Sequence, residues 1–139
     1  MLIWRKGVRL LVLGTTSATI VACETAPSAA APVPLEVWRG GDDGLTLRFA
    51  DALEASFRRF PAFVLSSGKR PGTLVVTIPS NVGWKQVGSR TKVIYSVEFT
   101  GTAAQPLGRS EGSCWEAQLR VCAAQVVKAA GPVAARVPE

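Results

Sequence analysis

The sequence predicts an α+β domain: an antiparallel sheet of three to four strands with two helices on one face, in the order (β)αβββα. Three observations predict it. Leu45, Phe49, Leu53 and Phe57 recur every fourth residue, the spacing of a buried helical stripe. Val93, Tyr95, Val97 and Phe99 alternate with Ile94, Ser96 and Glu98, the period of a strand with one covered face. Trp115, Leu119, Cys122, Val126 and Ala129 then form a second helical stripe.

Ahead of this domain, residues 1–22 have a cationic start (Arg5, Lys6, Arg9), no acid, and an apolar stretch from Leu10 to Ala22. Thr15, Thr16, Ser17 and Thr19 interrupt that stretch, which falls short of the roughly 18–20 apolar residues a spanning helix needs. It reads as an export signal. The stretch ends in Ile20-Val21-Ala22-Cys23, which resembles the lipobox of bacterial lipoproteins, where a small residue precedes the cysteine that becomes the lipid-carrying terminus. By that resemblance Cys23 bears a diacylglyceryl thioether and an amide-linked acyl chain such as palmitate. Several chains give durable attachment, since each buried CH₂ contributes about 0.8 kcal/mol. The competing readings are an ordinary signal peptide cut near Ala29-Ala30-Ala31 and an uncleaved anchor. Glu24 stands where enteric lipoproteins retained at the inner membrane carry Asp, so the resemblance implies the periplasmic face of the outer membrane.

Cleavage changes the charge balance. The chain has 16 basic and 10 acidic residues, and losing Arg5, Lys6 and Arg9 leaves thirteen against ten, or +3. So modest an excess in an exported domain argues against a nucleic-acid partner. Residues 23–34 form the lipidated cysteine and an Ala/Pro-rich tether with Pro27, Pro32 and Pro34. It spans at most about 30 Å when extended. Residues 35–131 are enough for one core, and residues 132–139 read as a flexible tail.

Within the domain, Leu35 to Trp38 alternates as a short edge strand. Asp42 or Asp43 caps the first helix, Arg58 and Arg59 complement its carboxyl-terminal dipole, and Pro61 stops it. Strands follow at residues 62–66, 73–78 and 91–100, with a short one near residues 105–108. Ser113 and Glu116 have the spacing of a capping box for a helix from about Cys114 to Ala130, which Gly131-Pro132 would end.

That helix conflicts with the cysteines. With Cys23 lipidated, Cys114 and Cys122 are left in an oxidising compartment, which favours a bond between them. Eight residues of continuous helix would hold their Cα atoms about 12 Å apart, whereas a disulfide needs less than about 7 Å. Either the helix begins near Ala117 or later with residues 114–117 folded back, or the pair are buried thiols. The redox liability of free thiols favours the bridge.

Chemistry-bearing residues are sparse. The chain has no histidine, which removes His-based nucleophile pairs and the commonest metal ligand. Asp51 and Glu54 read as a solvated helix face, and Asp42-Asp43-Gly44 lacks the other ligands of a calcium loop. The expectation is therefore no catalytic residue, no metal, no cofactor and no enzyme activity. In an antiparallel meander the loop from Pro79 to Arg90 lies where the first helix hands over to the next strand. Arg58, Arg59, Lys85, Arg90 and Lys92 would then gather around Trp84 as a basic rim for an anionic headgroup or acidic protein surface, with Lys69 and Arg70 at the opposite end.

The export leader, the tether, the run Leu45-Thr46-Leu47-Arg48-Phe49-Ala50-Asp51-Ala52-Leu53 into Phe60-Pro61-Ala62-Phe63, and the meander before a closing helix resemble small envelope α/β domains. Examples are the TolB amino-terminal domain, the lipopolysaccharide-assembly lipoprotein and auxiliary lipoproteins of ABC-type lipid transport. The likeness is architectural and brings no residue-specific motif. It implies a non-catalytic adaptor in an envelope transport or assembly complex, partnered by an envelope protein or an anionic lipid. The alternative is a lipoprotein that shelters a lipid or glycolipid between helices and sheet.

Overall fold

This computed structural model describes residues 31–68 and 70–138. The leader, Cys23, most of the tether and Lys69 lie outside the described residues. The elements run β1 (Val33–Arg39), α1 (Gly44–Arg58), β2 (Phe63–Leu65), β3 (Leu74–Ile78), β4 (Gly83–Val87), β5 (Arg90–Thr100), β6 (Pro106–Trp115), a 3₁₀ turn (Glu116–Gln118) and α2 (Leu119–Ala134). The class is α+β as the periodicities predict, with one six-stranded sheet and two helices among the described residues.

Sheet connectivity differs from the expected meander. β1 is an interior strand, parallel to β2 on one side and to β3 on the other, so the sheet is mixed. The physical reason is α1: a helix between β1 and β2 carries the chain back to the starting end, and the next strand runs parallel. The polar alternation that suggested an edge has another cause. Glu36 faces away from the helices, and its carboxylate accepts a 3.1 Å hydrogen bond from Gly68 N–H in the link crossing β1.

β5 organises the rest. β6 pairs with it from Lys92 to Thr100, while its other edge is shared by β3 (Glu98 to Thr100) and β4 (Arg90 to Ile94). Residues 78–82 on the β3–β4 line face residues 95–97 of β5, so the line bows out of the sheet. That bow meets the amino end of α1. Asn81 Oδ1 accepts from the backbone N–H groups of Asp42 (2.9 Å) and Asp43 (3.2 Å), and Thr46 Oγ1 accepts from Val82 N–H (3.0 Å). Asp43 is the cap, accepting from Thr46 N–H at 2.7 Å. β4 occupies what the sequence suggested was loop, and turns into β5 through Gly88-Ser89 with Gly88 at φ 60°. A two-residue hairpin loop prefers glycine at that first central position.

β6 overturns the expected start of the last helix. Residues 113–115 are strand, so Ser113 and Glu116 form no capping box, and α2 begins at Leu119. This permits the bridge: Cys114 and Cys122 are disulfide-bonded with Cα atoms 5.6 Å apart, because the chain folds back between them. At its other end α2 runs through Gly131 and Pro132 to Ala134. Pro132 is exposed, and having no N–H it cannot donate to the carbonyl one turn back. Buried Val133 keeps that last turn docked.

One core joins the layers. Phe49, Leu53 and Phe57 of α1 and Cys122, Val126 and Ala130 of α2 are fully buried against Leu35, Leu74, Val76, Val93 and Val97 of the sheet. Burying one such large side chain contributes about 1.5–3 kcal/mol. Phe57 meets Phe63 edge-on with ring centroids 5.2 Å apart, tying the end of α1 to the start of β2. These side chains fill the space between helices and sheet.

Candidate functional site

Of the five cations expected to gather around Trp84, only Lys85 and Lys92 share a groove with it; Arg58, Arg59 and Arg90 lie elsewhere. The cause is the direction of α1: its amino end meets the 78–82 bow, so its carboxyl end, with Arg58 and Arg59, sits by Phe63 at the other end of the sheet. Arg58 pairs with Glu54 across one helical turn at 3.7 Å. Arg59 lines a groove along α2. Arg90 stacks its guanidinium 3.8 Å from the centre of the Trp115 ring. Trp84, 63% exposed, borders a hollow beside Asp43, Leu45, Thr91 and Glu116.

Lys85 and Lys92 do come together. They are directly opposed in the β4–β5 ladder, with side chains on the same face. Like charges facing each other across strands destabilise a sheet, so an anion between them would relieve a native repulsion. Both line an open groove of about 870 Å³ on the face turned away from the helices. Its apolar lining includes Ile94, 48% exposed, and Val87. Ser96 and Ser113 add hydroxyls, and Ser96 Oγ is buried without a hydrogen-bond partner. The groove exists because the 78–82 bow leaves β5 uncovered at residues 95–97.

Charge is distributed unevenly around the groove. Glu111 lies on its β6 side and pairs with Arg109 at 3.4 Å, while Arg109 also approaches Glu98 at 3.8 Å. Among the described residues Lys85 and Lys92 have no carboxylate within ion-pair distance, so positive charge is concentrated on the lysine side. Nearby, Arg48 holds Glu116 at 2.6 Å. That hydrogen bond, assisted by the guanidinium charge and a Thr91 contact, keeps the Glu116 carboxyl below its ordinary value against an opposing effect of burial.

Sequence reasoning missed Ile94, Ser96, Glu111 and Ser113. The alternation of β5 already put Ile94 and Ser96 on the uncovered face, and Gly88-Ser89 was a legible hairpin signal that would have set Lys85 against Lys92. Glu111 and Ser113 carried no such signal, because β6 is visible only through its partner. Among the described residues no three of His, Cys, Asp and Glu converge as metal donors, and no helix is long and apolar enough to cross a membrane. The arrangement sets two cations beside exposed apolar side chains in one open groove.

No protein-family profile matches the chain, and no curated protein matches it. Among solved structures, it is similar to a minor lipoprotein from Acinetobacter baumannii, at 9% identity and a TM-score of 0.43. The likeness covers 74% of this chain and 95% of that one, and is a distant one.

Proposed function

We propose that the protein is a lipid-anchored lipoprotein of the cell envelope that acts as a non-catalytic adaptor in a transport or assembly complex, holding a partner segment in the groove beside Lys85 and Lys92. One observation supports the placement: Cys114 and Cys122 are joined and buried where β6 turns into α2, in a chain whose remaining cysteine, Cys23, ends a segment that resembles a lipobox. Such a bond persists in oxidising compartments and is rare in the cytosol. The adaptor role is supported by the groove, with its opposed lysines, exposed Ile94 and unpartnered Ser96 hydroxyl. The periplasmic face of the outer membrane is the proposed address, because Glu24 replaces the retention aspartate.

The anchor is tested by feeding cells a clickable palmitate and recovering the wild-type protein and Cys23→Ser. Label on the wild type alone is expected; an unlabelled wild type rejects the anchor. The groove is tested by placing a photocrosslinking amino acid at Ile94 in cells. A discrete protein adduct that Lys85→Glu with Lys92→Glu abolishes supports the adaptor, whereas an adduct unchanged by those charges rejects it. A lipid adduct in place of a protein would favour the lipid-binding alternative, with the lipid on the outer face of the sheet.

A further inference from the structure

We infer that the solvent face of α2 is a contact surface for an anionic phospholipid bilayer, seating the helix layer on the membrane and turning the sheet groove away from it. The inference rests on the lipid-anchor reading above.

From Ala117 to Pro138 the chain carries Arg120, Lys128 and Arg136 and no acid. Val121, Ala124 and Lys128 follow the i, i+3, i+7 spacing of one face of α2, and Ala117 of the preceding 3₁₀ turn lines the same groove. All four are exposed, Val121 at 47%. Arg59 reaches the same face from the end of α1, and with Arg120 and Lys128 it lines a shallow groove of about 550 Å³. Among the described residues none of these three cations has a carboxylate within ion-pair distance, whereas Arg48, Arg58 and Arg109 each do. A cationic border around a low apolar strip matches a headgroup layer, which offers phosphates at the surface and hydrocarbon just below.

The attachment of the chain favours a bilayer over an acidic protein. Val33 N–H donates to the Ala62 carbonyl at 2.9 Å, so the domain receives its tether three residues past Arg59. Val33 lies ten positions after Cys23, a reach of about 30 Å. A lipid on Cys23 would thus hold this end of the helix layer close to the leaflet. The groove of Lys85 and Lys92 is on the opposite side of the sheet, where a partner can approach.

Each cation next to an anionic leaflet strengthens attraction about fivefold, so three amount to the order of a hundredfold. The test uses the full chain with Cys23→Ser, alone or with Arg59→Gln, Arg120→Gln and Lys128→Gln. Both proteins are cosedimented with vesicles of phosphatidylcholine, or of equal parts phosphatidylcholine and phosphatidylglycerol. The leader is common to both, so their difference isolates the three charges. Partition of the triple variant onto mixed vesicles is expected to fall by the order of a hundredfold, with no difference on phosphatidylcholine. Lys85→Gln with Lys92→Gln on the sheet face is the control and should partition as the parent does. Equal partition of a triple variant that still unfolds cooperatively overturns the inference. So does an equal fall in the control, which would make net charge the cause, or loss of a copurifying acidic protein with vesicle partition unchanged. Palmitate labelling reads the anchor separately, so an unlabelled Cys23 and a failed vesicle result are distinguishable.

Discussion

Opening the Cys114–Cys122 bond should cost the domain a definite amount of stability. The bond spans eight residues and joins the last turn of β6 to the first turns of α2. Closing a loop this short removes denatured-state entropy equivalent to about 2.5 kcal/mol in the chain-entropy model. At about 4–8 °C per kcal/mol for a domain near this size, that lowers Tm by roughly 10–20 °C. The assay is thermal unfolding followed by circular dichroism, oxidised and after full reduction, with Cys114→Ala plus Cys122→Ala as a reagent-free counterpart. The double variant should fall slightly further, because both sulfurs are buried and their removal leaves unfilled volume. The reduced protein should keep a cooperative transition, since Val126, Val127 and Ala130 still dock α2 on the core. A fall of less than about 3 °C, under 1 kcal/mol on that scale, would refute the reasoning. The β6–α2 joint would then be held by packing alone.

Leu53→Ala, at a fully buried position between α1 and the sheet, should destabilise by about 2–5 kcal/mol in urea titration. Thr46→Val keeps the shape of a buried side chain but removes the acceptor for Val82 N–H. It should cost about 1–3 kcal/mol, and amide exchange should show Val82 losing protection first. Hydrogen bonds from Thr46 hold the Asp43 carboxyl below its ordinary 3.8, and Arg48 holds Glu116 below 4.5. A carboxyl whose folded pKa is depressed stabilises the fold above its unfolded pKa and loses that contribution as pH falls through the folded one. Stability should therefore decline below about pH 4.5, and Asp43→Asn with Glu116→Gln should flatten the decline; an unchanged acid limb in urea midpoints would rule this out.

Local pattern and pairing partner explain which elements were legible. Both helical stripes and the alternation of β5 are written in consecutive residues, so α1, the body of α2 and β5 could be read directly. β6 could not. Its Gly108, Ser110, Gly112 and Ser113 have low strand propensity, and it is a strand because β5 offers it a nine-residue partner. Gly112 is opposite Tyr95, where a Cβ would lie 2.8 Å from Tyr95 Oη and 2.6 Å from Gln125 Oε1. A residue that looks like a turn signal is there to admit the hydroxyl that donates to Gln125 at 3.0 Å.

The site divides along the same line. By itself the sequence determined the α+β class and the scarcity of catalytic residue types, and it carries the segment whose resemblance to a lipobox motivates the lipid-anchor proposal. It also identified the conflict at Cys114 and Cys122, although not its resolution. Only the tertiary structure decided that β1 is interior, that Lys85 faces Lys92, that Arg58 and Arg59 lie far from Trp84, and that three cations line one face of the helix layer. The first set depends on residue identity and on spacings within one element. The second depends on strand register and helix direction, which long-range packing selects between segments far apart in the chain.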